Sequence, residues 1–229
     1  MSGAPRARLR LAVYDMDLTI TSRSSWTPWL LSWAWHEARW RLLLLPLMLG
    51  PGLAFLLRAL DRRALKEEAQ RLLMGPSVPL VRLDARARRF AEAFAARYQR
   101  ADALRQMAED RQAGFRLLIA TASSRYYVRH LACLWGVADL VATDNARDGA
   151  SVLAAIDGPN CRGPAKLALV EAWLARQGLD RRALYVRAYS DHPSDLPLLD
   201  WADEPVVVNP GPRMARLAAA RGWPVRRWR

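Results

Sequence analysis

The chain has 229 residues, 52% of them apolar and 25% charged. That is enough for one cored domain with a sizeable insertion, and it excludes a disordered, collagenous or disulfide-built chain. The net charge of +13 points to an anionic partner, a membrane surface or a nucleic acid, while two cysteines, Cys133 and Cys161, are too few for a secreted framework and read as reduced thiols.

Residues 1–10 are basic, but no apolar run of signal-peptide length follows them, so the chain is expected not to be secreted. Residues 9–15 read as a first strand that ends in Asp15-Met16-Asp17-Leu18-Thr19. Residues 24–100 look helical throughout, which predicts an all-helical cap inserted after the first strand and lying over the carboxyl end of the sheet. This segment holds thirteen basic against six acidic side chains. Trp26, Trp29, Trp33, Trp35 and Trp40 open it, and residues 42–57 follow without a single charge, interrupted by Gly50-Pro51-Gly52. Arg39 and Arg41 precede that run; Arg58, Arg62, Arg63 and Lys66 come after it.

Beyond residue 100 the pattern alternates. Residues 103–113 and 125–135 are amphipathic at helical spacing and flank a strand at 116–121 that exits through Thr121-Ala122-Ser123. A strand at 137–143 leads into residues 144–160, where Asp148-Gly149 and Asp157-Gly158 signal a hairpin flap. Residues 165–177 form a helix announced by Gly163-Pro164 and stopped by Gly178, with Lys166 in its first turn. A strand at 184–190 runs into Ser190-Asp191, with Asp195 four residues on; a strand at 205–209 ends in Asn209, and residues 213–221 are again helical. The tail repeats Trp and Arg and reads as a second surface contact, with six arginines and no acid over residues 205–229. Alternating strands and helices predict an α/β doubly wound parallel sheet, with a core of residues 1–23 and 101–229 and a cap of residues 24–100.

In such a sheet, ligands bind beyond the carboxyl ends of the strands. Asp15, Asp17, Asp191 and Asp195 would therefore meet in one crevice, where only a cation keeps so many carboxylates ionised. Hard oxygen donors favour Mg²⁺, and His36, His130 and His192 lack zinc-ligand spacing. A carboxylate beside Mg²⁺ attacks phosphorus, and a second one two residues on protonates the leaving oxygen. Thr121 supplies a hydroxyl and neighbouring amides for the phosphoryl oxygens, and Lys166 a point charge. Lys166 is one of only two lysines among 35 basic residues. It lies where the helix dipole disfavours a cation, so a negative neighbour is expected. Taken singly, each motif has a bland reading: a turn, a helix cap, a surface lysine, and at Asn209 a turn with Pro210. Their conjunction at successive strand ends is the specific signal.

The ordered set resembles the haloacid dehalogenase superfamily of Mg²⁺-dependent phosphatases. Its helical insertion and the run Asn160-Cys161-Arg162-Gly163-Pro164-Ala165-Lys166 are similar to the phosphoserine phosphatase-like subgroup, subfamily IB. The resemblance implies that Asp15 is the nucleophile and Asp17 the general acid/base. It implies Thr121, Ala122 and Lys166 as phosphate binders. It implies Asp15, Asp17 (through its backbone carbonyl) and Asp191 as metal ligands, supported by Asp195 and Asn209.

The substrate rests on the insertion. An apolar run flanked by Trp and Arg fits a helical hairpin in a membrane interface, with arginines on anionic headgroups. A buried pair of cap helices, or a dimer interface, is the competing reading. The segment's composition resembles that of phosphatidylglycerophosphatase C and related bacterial members. The expectation is a cytoplasmic enzyme peripheral to the inner face of the membrane that dephosphorylates a phospholipid headgroup; the alternative is a phosphoserine phosphatase-like enzyme for a small metabolite. A nucleic-acid partner is not expected, since only the net charge favours one.

Overall fold

The computed structural model describes residues 8–229, so most of the basic N-terminal stretch lies outside the described residues. The chain opens with β1 (Leu9–Tyr14) and a helical turn at Met16–Ile20. The inserted segment runs through α1 (Trp26–Glu37), a 3₁₀ helix (Arg39–Met48), α2 (Leu49–Leu56), α3 (Arg62–Met74), β2 (Ser77–Pro79) and α4 (Leu80–Tyr98). The chain then alternates as α5 (Ala101–Gln112), β3 (Phe115–Ser124), α6 (Arg125–Leu134), β4 (Asp139–Asp148), β5 (Ser151–Asp157) and α7 (Pro164–Arg176). It finishes with β6 (Leu184–Ser190), α8 (Leu196–Trp201), β7 (Glu204–Val208), α9 (Pro212–Arg221) and β8 (Val225–Arg226).

The strands form one sheet in the order β2-β5-β4-β3-β1-β6-β7-β8. From β4 to β8 all neighbours are parallel, as the alternating pattern predicts. β1 lies inside this sheet, and its Leu11, Ala12, Val13 and Tyr14 are all buried. A run that is apolar on both faces is what a covered parallel strand requires. One face packs on α5, α6 and the inserted segment, the other on α7, α8 and α9.

The inserted segment is not wholly helical. β2 pairs antiparallel with β5, Val78 opposite Val152, and so ties the insertion to the flap. Of the two Asp-Gly signals, only the first makes the hairpin turn, between β4 and β5. The second ends β5 and leads toward α7. Trp29 and Trp33 are buried, and Trp29 meets Phe90 of α4 and Tyr126 and Tyr127 of α6 at ring distances of 5.3–5.4 Å. Trp35 and Trp40 are exposed.

The apolar run behaves differently from this aromatic core. Arg39–Leu56 is an 18-residue helical stretch of mean hydropathy 1.3, none of it buried, and by length and composition it suffices to cross a bilayer. Leu43, Leu49 and Leu56 are 81%, 76% and 77% exposed. The run is therefore not the buried helix pair considered above. Arg41 fastens it to α3, donating to the carbonyl of Leu72 at 2.8 Å.

In the tail Arg226, Arg227 and Arg229 are exposed, and Trp228 departs from the surface reading. Trp228 is buried against Tyr14 and Tyr189. Its carbonyl accepts from Arg100 at 2.8 Å, just where the inserted segment rejoins the core.

Candidate active site

β1, β3 and β6 end side by side, and their exits carry the candidate groups. Asp15 follows β1 directly, its amide donating to the carbonyl of Tyr189 on β6 at 2.9 Å. Leu18 then takes a left-handed conformation, φ 66°, which a branched residue adopts only at a cost of about 1–3 kcal/mol. The strained turn folds Asp17 back over the strand end. Its side chain accepts from the Ser25 amide at 2.8 Å and from the Ser123 hydroxyl at 2.7 Å.

Lys166 is positioned by its helix start. Gly163 has φ 63° and ψ −140°, a conformation reserved for glycine, and Pro164 opens α7. The Lys166 ammonium, 2% exposed, donates to Asp15 Oδ1 at 2.7 Å and to Asp195 Oδ2 at 2.5 Å. Burial alone would lower its pKa, but the two carboxylates raise it well above the ordinary value, so it stays charged. These are the negative neighbours that its helix position demands. Asp195 also accepts from Ser190 at 2.8 Å, and despite burial Lys166 holds its pKa low.

The remaining acids are poised differently. Burial pushes the Asp15 carboxyl up to about 8, with Lys166 opposing and Asp195 and Asp191 adding to the rise. Asp191 is pushed up to about 6, by burial first and then by Asp195. Thr19 Oγ1 lies 3.4 Å from both Asp15 Oδ2 and Asp191 Oδ1. Two carboxylates that resist ionisation side by side invite a cation. Among the described residues no three His, Cys, Asp or Glu side chains cluster as metal ligands. Asp17 turns its carboxylate toward the serines, so Asp15 and Asp191 are the carboxylates left facing a cation. Mg²⁺ takes one or two carboxylates and keeps waters and phosphate oxygens, so this donor set fits it.

Asp15, Asp17, Thr121, Ala122, Lys166, Asp191 and Asp195 all line one cleft of about 210 Å³. Asn209 does not. It has φ 43°, and its side chain clasps the backbone of Trp228 with two bonds of 3.0 Å. Its work is at the tail.

Sequence reasoning passed over several cleft residues. Lys66 of α3 donates to the Ala122 carbonyl at 2.6 Å and to Asn160 Oδ1 at 3.0 Å. Burial brings its pKa down to about 8, against the pull of Asp17. The rarity of lysine, which singles out Lys166, would have singled out Lys66 too: both lysines of the chain line this cleft. Arg62, Arg162 and Ser123 also line it.

Among known proteins, CicA of Caulobacter vibrioides (strain NA1000 / CB15N) is 32% identical over 197 residues, 85% of this chain and 83% of that protein. A histidinol-phosphatase of Neisseria meningitidis serogroup C (strain 8013) is 30% identical over 117 residues, 49% of this chain; the match spans about half of that protein's length, 52%. A solved protein of unknown function from Bordetella pertussis Tohama I superposes with a TM-score of 0.84 at 25% identity, covering 95% of this chain and 98% of that one. A substrate-bound phosphoserine phosphatase complex superposes with a TM-score of 0.60 at 12% identity, covering 93% and 91%, a likeness of fold. The profile of the haloacid dehalogenase-like hydrolases matches residues 12–200, a span that runs from within β1 through the ends of β3 and β6. The chain belongs to that family of hydrolases.

Proposed function

We propose that this hydrolase is a Mg²⁺-dependent phosphatase that removes the terminal phosphate of a phospholipid headgroup at a membrane surface, with residues 24–100 acting as its cap. The family and the cleft chemistry support the phosphatase reading. Asp15 attacks phosphorus; the bond to the leaving oxygen breaks as an aspartyl-phosphate forms. Asp17 gives its proton to that leaving oxygen. Its pKa is raised by burial, which favours the protonated form the step needs, although Ser123, Ser25 and Lys66 temper the rise. Asp17 then takes a proton from water, the water oxygen bonds phosphorus, and Asp15 is freed as phosphate leaves. Lys166, Thr121 and the amides after it balance charge on the phosphoryl oxygens. When bound by Asp15, Asp191 and the Asp17 carbonyl, Mg²⁺ supplies further positive charge there.

The observation that carries the lipid reading is the exposed apolar run Arg39–Leu56, whose Phe55 lies under the cleft-lining Arg62. Exposed apolar surface of this extent marks a contact with lipid or protein. Arg39 over Trp35 and Arg41 over Trp40, both at 4.7 Å, give it the Trp and Arg flanks of an interfacial helix. A cleft of about 210 Å³ holds a phosphate and a short linker, so acyl chains stay outside, along the run.

Leu43→Asp with Leu56→Asp tests this. Both residues are exposed, whereas Leu44 is half-buried in a groove against α3 and would confound folding with binding. The double variant is expected to keep its circular dichroism and its hydrolysis of p-nitrophenyl phosphate, and to lose flotation with anionic vesicles and activity on lipid phosphates within them. A wild type that does not float, or a variant that only dissociates from a dimer, overturns the membrane reading and leaves the small-metabolite phosphatase.

A further inference from the structure

We propose that the rim of the cleft is a second anion site, in which Arg62 of α3 and Arg162 of the loop before α7 together bind a second anionic group of the substrate, one short linker away from the reacting phosphate. This rests on the phosphatase reading and goes beyond it: it assigns the class of substrate as a phosphomonoester that also carries a carboxylate or a phosphodiester.

Both arginines line the cleft that holds Asp15. Among the described residues neither has a carboxylate partner, and the contrast with their neighbour is sharp. Arg63 is spent on structure, bonded to Glu67 at 3.0 Å and to the carbonyls of Ile156 and Gly158 at 2.7 and 3.0 Å. Arg62 only lies over the Phe55 ring, at 5.3 Å. Arg162 only reaches the His192 imidazole, at 3.2–3.3 Å. Of the cleft carboxylates, Asp15 and Asp195 are bonded to Lys166, Asp17 to the two serines, and Asp191 faces Thr19. Both guanidiniums line the same cleft, and burial first and then the charge of Arg162 depress the pKa of Arg62. Guanidinium pairs left in this state are matched by planar or tetrahedral oxyanions, which accept several charge-assisted bonds at once.

The chemistry also says what the rim rejects. A substrate whose tail bears an ammonium meets Arg62 and Arg162, neither of which is paired with a carboxylate among the described residues. The order along the cleft matters as well. Asp15 is buried, Arg162 half-buried and Arg62 exposed, and Phe55 beneath Arg62 belongs to the exposed apolar helix α2. A lipid whose terminal phosphate is separated from its tails by a phosphodiester presents its groups in the same order. A small phosphomonoester with a carboxylate presents the first two.

Two matched pairs separate these sources. In solution, 3-phosphoglycerate is compared with glycerol 3-phosphate; in mixed micelles, short-chain phosphatidylglycerophosphate with short-chain phosphatidic acid. The expected result is a preference of about tenfold or more in kcat/KM for the doubly anionic member of at least one pair, carried by KM and shrinking as salt rises. The pair that shows it names the source. In Arg62→Gln with Arg162→Gln the preference should fall toward unity, and the paired lysine variants should restore part of it. Hydrolysis of p-nitrophenyl phosphate with no preference in either pair overturns the rim site alone, as does a preference that survives the Gln variants. Release of phosphate from none of the five esters overturns the phosphatase reading together with the site.

Discussion

Asp15 is held by surroundings that oppose its own charge. Its carboxyl is buried, faces Asp191 and Asp195, and has Lys166 as its one strong cationic partner. Replacing it with Asn keeps the shape and removes the attacking oxyanion, so turnover should fall by about three orders of magnitude or more while the circular dichroism stays unchanged. Near-normal hydrolysis by purified Asp15→Asn would refute the proposed nucleophile. The same residue sets a pH signature in protein stripped of divalent ions. A carboxyl at about 8 in the folded chain and 3.8 ordinarily binds its proton more tightly when folded. The stability this contributes is complete below about 3.8 and is lost as pH rises through 8. Thermal melts without metal should therefore drop in Tm from pH 5 to 8, at about 2–4 °C per kcal/mol. Asp15→Asn should flatten that slope, and adding Mg²⁺ at pH 8 should raise the wild-type Tm. A wild-type slope identical to that of Asp15→Asn would refute the assignment.

Among the elements, α3 joins the inserted segment to the catalytic strand ends, because Lys66 reaches the carbonyl of Ala122 directly after β3. A lysine at about 8 instead of 10.5 is a cation whose burial costs the fold stability at neutral pH. The folded state prefers the neutral amine, so this group adds stability as pH rises from 8 to 10.5. Lys66→Met should accordingly leave Tm at pH 7 unchanged or higher, since Thr143 still donates to the Ala122 carbonyl at 2.8 Å. It should nonetheless lower kcat/KM by about tenfold, because α3 is no longer pinned to the strand exit. A large loss of Tm with activity intact would show that Lys66 serves only the fold. Elements of this kind divide what sequence makes legible. The parallel strands are continuous apolar runs and stand out; so does the ordered set Asp15, Asp17, Thr121, Lys166, Asp191 and Asp195. β2 is three residues long and exists only by pairing with β5 across the fold, which no local pattern encodes. Arg62, Lys66 and Arg162 become cleft residues only when α3 docks on the core. Asn209 ends a strand as the site residues do, yet the tail claims its side chain.

For the molecule as a whole, the question is how a charge of +13 and an exposed apolar run act together. Arg39 and Arg58 flank the run and are exposed, while Arg41 is tied to α3 and Arg63 to β5 and the residue after it. Each arginine without a carboxylate partner near an anionic surface contributes about 1 kcal/mol, so these two together are worth roughly thirtyfold in partition. That part is screened: the Debye length falls from about 8 Å at physiological salt to about 3 Å at 1 M. The apolar part would not be screened if, as proposed, Leu43, Leu49 and Leu56 enter acyl chains, because added salt does not weaken apolar burial. Vesicle flotation should therefore show two components. Binding to anionic vesicles should fall roughly thirtyfold between low and high salt and then level off at the value found for zwitterionic vesicles. Leu43→Asp with Leu56→Asp should remove that residual plateau. Binding that vanishes in high salt would mean that the run does not enter the bilayer, and binding indifferent to salt would mean that Arg39 and Arg58 face away from it.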